Sequence, residues 1–171
     1  MDSAWIGVIG TLAGGVLVGG FALWSKHIEI KKQYRVARKE QRIGKLLDLH
    51  ARLFVFSSSS AQYYAKLLEI RIENDGGQKM YREFTETANP FSTSFHEMTT
   101  IQRTFARNLE KEWNRFQLAV QTMHGNAGEY AVRGKVGDAI MNKGFESVLA
   151  ECRNVTLALE RLIDEELAAA P

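Results

Sequence analysis

AWIGVIGTLAGGVLVGGFALW, residues 4–24, runs for 21 positions without a charged side chain. As one helix at 1.5 Å rise per residue it covers roughly 31 Å, close to the hydrocarbon thickness of a bilayer. Trp5 and Trp24 bracket it at the two depths where indole rings settle between headgroups and acyl chains, so both are expected interface anchors. A cleaved signal peptide needs a basic start and a small-x-small cleavage site, whereas this segment is preceded by MDS and followed by SK. The stretch therefore predicts a transmembrane helix, and the rest of the chain is read outward from it.

Immediately after the span the charge changes. Lys26, Lys31, Lys32, Arg35, Arg38, Lys39, Arg42 and Lys45 stand against only Glu29 and Glu40 between residues 25 and 45, while the whole chain is +2. A Lys/Arg excess on the C-terminal flank predicts an N-terminus outside and residues 25–171 in the cytoplasm, with a cell (inner) membrane location. Residues 25–42 are expected to continue the helix as a basic juxtamembrane segment. Each of its cations near an anionic leaflet is worth ~1 kcal/mol, an attraction that falls off within a Debye length. The lipid bilayer is thus the first expected partner. Nucleic acid is not, because the basic run abuts the span and has little aromatic interleaving beyond Tyr34.

The span is unusually rich in glycine for a helix. At 100° per residue Gly7, Gly10, Thr11, Gly14, Gly15, Gly19 and Ala22 share one broad side, and Ile9, Leu12, Val16 and Leu23 gather opposite. Two small-xxx-small pairs result, Gly10 with Gly14 and Gly15 with Gly19. In lipid, helices associate through close backbone approach rather than hydrophobic drive, so this side is the candidate helix-association face and predicts a homo-oligomer.

From Ile43 onward the pattern is a seven-residue repeat: Ile43, Leu46/Leu47, His50, Leu53/Phe54, Ser57, Ser60/Ala61, Tyr64, Leu67/Leu68. Asn74-Asp75-Gly76-Gly77 supplies a helix stop. A second series contains Phe84, Phe91, Phe95, Met98, Phe105, Leu109, Phe116, Val120 and Met123, interrupted at Asn89-Pro90, where a kink or a new helix start is expected. A third contains Phe145, Val148/Leu149, Cys152, Val155, Leu159, Leu162/Ile163 and Leu167. The fold class expected is all-α: a transmembrane helix continuing into an antiparallel three-helix bundle over 43–171, with helices near 43–73, 78–123 and 137–168.

Chemistry is harder to find. Gly134-Lys135 lies in a glycine-bearing connector, but the spacing from Gly128 is wrong for a phosphate loop and Val136 stands where the hydroxyl residue belongs. His27, His50, His96 and His124 lack the i, i+3 or i, i+4 partners of a zinc or di-iron site. His50, on the apolar stripe, is expected to be a hydrogen-bonded core residue. Ser57–Ser60 has no glycine elbow and no paired base, and the single Cys152, flanked by apolar repeat positions, is expected to be inert. No catalytic residue, cofactor or metal follows from these patterns.

The layout of glycine-rich span, basic stretch and helical bundle resembles small bacterial single-pass membrane proteins with a cytoplasmic helical bundle, among them proteins of unassigned role and accessory or effector proteins of anti-phage systems. The resemblance lies in the layout. The glycine side of the span, the continuous seven-residue repeat and the lack of a catalytic pattern predict a non-enzymatic scaffold or interaction protein, self-associating or bound to a cytoplasmic protein. The alternative is a pore or membrane-disrupting effector built from several copies of the span, although Thr11 is the span's only side-chain hydroxyl.

Overall fold

The computed structural model describes the backbone of residues 3–72, 90–130 and 137–169, with side chains over 24–67, 94–127, 129–130 and 137–169. Among the described residues there are four α-helices and no strand: α1 (Ser3–Ile72), α2 (Pro90–Phe105), α3 (Glu110–Gly128) and α4 (Asp138–Ala168), with a 3-10 turn at Arg107–Leu109. The all-α class is as the sequence indicates. The chain divides into two units between Gln41 and Arg42.

In the first unit the described side chains, from Trp24 to Gln41, are exposed apart from half-buried Val36 and Lys39. Its helical state follows from composition, since Lys, Arg, Glu, Gln and Ala dominate 25–42 and neither Gly nor Pro interrupts them. Among the described residues no helix is long and apolar enough to cross a membrane. The side chains of the expected span, including Trp5, Gly7, Gly10, Thr11, Gly14, Gly15, Gly19 and Ala22, lie outside the described residues.

The second unit is built on a strict 3-4 repeat of buried positions along α1: Leu46, Leu49, Leu53, Phe56, Ser60, Tyr63 and Leu67. From α4 it receives Met141, Val148, Cys152, Val155, Leu159, Leu162 and Ile163. The two helices are antiparallel, because partners ascend one as they descend the other. Arg42 meets Glu166, His50 meets Glu160, the Cys152 thiol reaches the Leu53 carbonyl, and Tyr64 stacks on Phe145 at 4.6 Å.

Here the structure departs from the expected three-helix bundle. The limb anticipated over 78–123 is not one helix: α2 starts at Pro90, runs antiparallel to α1 by the pairings Phe56–Phe95 and Arg52–Glu97, and stops at Phe105. Ala106 leaves helical geometry at φ −129°, ψ 43°, and the chain folds back. Phe95 thereby lies 5.8 Å from Trp113 and 5.5 Å from Phe116, and α3 runs parallel to α1, with Phe116 edge-on to Phe56 at 5.2 Å.

Neither glycine nor proline makes this turn. The Ala106 N–H donates to the Gln102 carbonyl, and the Ala106 carbonyl accepts both the Leu109 N–H and the side-chain amide of buried Gln102. The apolar series misled because Met98, Phe105, Leu109 and Phe116 keep heptad-compatible spacing whether or not one helix carries them.

At the far end α3 continues through a wider turn at Glu129–Tyr130, and α4 begins after Gly137. The Tyr130 hydroxyl donates to Asp138 at 2.8 Å, tying together the two ends of the connector. The expected stop at 74–77, the helical stretch 78–89 and the Gly134-Lys135 pair lie outside the described residues.

Candidate interaction surface

Four polar contacts decorate the rim of the α1 core. Arg42 Nη1 lies 2.9 Å from Glu166, His50 Nε2 lies 3.0 Å from Glu160, and Arg52 is held by Asp48 at 2.9 Å and by Glu97 across to α2. Hydrogen bonding to Asp48 raises the Arg52 pKa, desolvation opposes it, and the bond to Glu97 adds to it. All these side chains keep a fifth or more of their surface in solvent, so each pair contributes at most ~1 kcal/mol and acts mainly to set register.

The eight basic residues singled out in the sequence therefore separate into groups. Lys26, Lys31, Lys32, Arg35 and Arg38 are exposed and Lys39 is half-buried. Arg42 and Lys45 instead carry carboxylate partners, Glu166 and Asp48, within the second unit. Trp24, the described anchor candidate, is 61 % exposed.

Three of the residues weighed for chemistry have partners in the fold: His50, Ser60 and Cys152. His50 is not a core histidine: it stands half-buried at the edge, bound to Glu160. Ser60 is buried and its hydroxyl donates to the Phe56 carbonyl of its own helix. Cys152 is buried, and desolvation pushes its thiol pKa up to about 11, with a hydrogen bond to Thr156 opposing the shift. Among the described residues no three His, Cys, Asp or Glu side chains gather as metal ligands would. The groove lined by Asp48, Ala51, Arg52, Val55, Phe56, Ser59 and Ser94 encloses about 290 Å³. Its one cation among the described residues, Arg52, is held by two carboxylates.

What the structure adds is a second stripe on α1. Leu47, Ala51, Phe54, Ser58, Ala61 and Ala65 recur at 4-3-4-3-4 spacing and all are exposed, Leu47 by 52 % and Phe54 by 75 %. Val55, 60 % exposed, flanks them. The sequence blurred this distinction, since Leu46/Leu47, Leu53/Phe54, Ser60/Ala61 and Leu67/Leu68 offer two adjacent stripes of equal period. The structure buries the first of each described pair together with Leu49, Phe56 and Tyr63, and leaves the second facing solvent.

No family model, curated protein or solved structure matches this chain.

Proposed function

We propose that this chain is a single-pass membrane protein whose helical bundle is a cytoplasmic interaction module and whose anchors bring copies together. The observation that carries the reading is the juxtaposition in one helix, α1, of 21 uncharged residues and a strongly basic stretch. Charge asymmetry of that kind orients a span with its basic flank in the cytoplasm. The glycine side of residues 7–22 supplies the association face, and Lys31, Lys32, Arg35 and Arg38 supply cations for anionic headgroups. A binding role is supported by the bundle's α1 face, where Leu47, Phe54 and Val55 lie exposed within about two turns of one another.

Membrane fractionation with alkaline extraction tests the anchor. The full chain is expected to stay with the membrane, and release into the supernatant overturns the reading. A reporter joined after Pro171 should be active only as its cytoplasmic form; activity on the outer side reverses the orientation. Changing Gly10, Gly14, Gly15 and Gly19 together to Ile should lower the assembled mass in nanodiscs, and an unchanged mass removes the glycine face from the proposal. Dye-loaded liposomes carrying the purified protein should remain sealed, since leakage would favour a pore over an interaction module.

A further inference from the structure

We propose that the exposed stripe Leu47, Ala51, Phe54, Ser58, Ala61 and Ala65 is a seam for a second copy of this chain, the two α1 helices lying parallel and in register. This rests on the anchoring reading above and names the surface that anchoring brings together.

The spacing calls for a helix. A strict 4-3 repeat keeps its line only against another helix supercoiling around it, and it is the same repeat by which α1 buries its opposite stripe inside the bundle. The stripe is apolar or small at every position, and the one hydroxyl on it, Ser58, donates back to the Val55 carbonyl of its own helix. Residue 44, one step further along the same repeat, is an exposed glycine, and a Cβ built there would meet nothing within 4 Å. An interior helix glycine costs ~1 kcal/mol relative to Ala. Among the described residues nothing within 4 Å requires it, whereas a neighbouring backbone drawing close would.

Area decides which second copy. From Leu47 to Ala65 the stripe is about 27 Å long, and a helix roughly 10 Å wide offers over that length a few hundred Å². A stable interface between free partners takes about 800 Å² from each. The stripe is too small to join two molecules meeting in solution and large enough for molecules already confined together, where the effective concentration rises to about millimolar. Copies anchored in one bilayer through the same end of α1 present the stripe parallel, with each residue level with its counterpart. Phe54 then meets Phe54 and Leu47 meets Leu47, while Gly44, Ala51, Ser58, Ala61 and Ala65 let the backbones close between them.

The test is a cysteine scan of the full chain in a Cys152→Ala background, reconstituted in phosphatidylcholine–phosphatidylglycerol vesicles and oxidised with copper phenanthroline. Cysteine at Leu47, Ala51, Phe54 or Ser58 should form disulfide dimers severalfold faster than at Leu118 or Leu157, which are exposed and equally confined by the anchor but lie off the seam. Uniform rates across these positions overturn the seam. Phe54→Lys, on a side chain that is three-quarters exposed, should leave far-ultraviolet circular dichroism unchanged and abolish dimers formed through Ala51→Cys; dimers that persist also overturn it. Alkaline extraction of the same samples separates the two proposals. Protein that stays in the vesicles without the cysteine pattern refutes the seam alone, and protein released by alkali refutes both.

Discussion

The side-chain amide of Gln102 donates to the carbonyl of Ala106 at 3.2 Å, while the Ala106 N–H donates to the backbone carbonyl of Gln102 at 2.9 Å. One buried glutamine thus secures the fold-back between α2 and α3. Gln102→Leu keeps the volume and removes the donor, leaving a carbonyl with one partner fewer in a buried place. A loss of about 1–3 kcal/mol in urea unfolding is expected, and a change within error would mean that the turn holds itself.

Cys152 provides a pH handle. Its folded thiol is raised to about 11 by burial, well above its ordinary value of 9.0. A group whose folded pKa is raised contributes fully below the unfolded pKa and loses that contribution as pH climbs toward the folded one. Stability should therefore decline between about pH 9 and 11, and Cys152→Ala should flatten that decline when thermal melts are compared. Ellman's reagent at neutral pH should label the native protein slowly and the urea-unfolded protein at once.

Trp113 is 1 % exposed, its rings lie against Phe95 and Phe116, and its indole N–H is buried with no hydrogen-bond partner among the described residues. Trp113→Ala should cost about 3–5 kcal/mol through the cavity it leaves. Trp113→Phe keeps ring contacts and deletes an unsatisfied donor whose burial costs about 1–3 kcal/mol. It should lie far closer to the wild type, and equal losses for the two variants would show that the indole edge is needed for packing.

Arg42 and Glu166 form a partly exposed pair, 2.9 Å apart, between α1 and α4. A double-mutant cycle with Arg42→Met and Glu166→Gln is expected to give a coupling below about 1 kcal/mol that shrinks with added salt. A larger, salt-insensitive value would make the pair a determinant of the fold rather than a register mark.

The particular residues show how far the sequence was readable. The α4 stripe Val148, Cys152, Val155, Leu159 and Leu162 was legible because its 3-4 spacing runs unbroken, although Leu167, the last member of the series, is exposed. On α1 the helix was legible and the phase was not: doublets such as Leu53/Phe54 satisfy the repeat twice, and which member is buried depends on where α3 and α4 press. Asn89-Pro90 signalled a kink or a new helix start through proline's backbone chemistry, and the residues before Pro90 lie outside the described ones. The turn at Ala106 carries no such mark, since it is closed by a side chain four residues upstream. The exposed seam was hidden for the reason the phase was, because only burial tells the two stripes apart.

The thiol of Cys152 reaches the carbonyl of Leu53 across 99 residues of chain. Synthesis adds roughly 5–20 residues per second, so Leu53 leaves the ribosome about 5–20 s before its partner exists. During that interval the stripe Leu46, Leu49, Leu53 and Phe56 has no α4 to cover it. In that interval only α2 and α3, through Phe95 and Phe116 against Phe56, can shield the inner stripe, and the side that α4 will occupy stays open until the last helix is made.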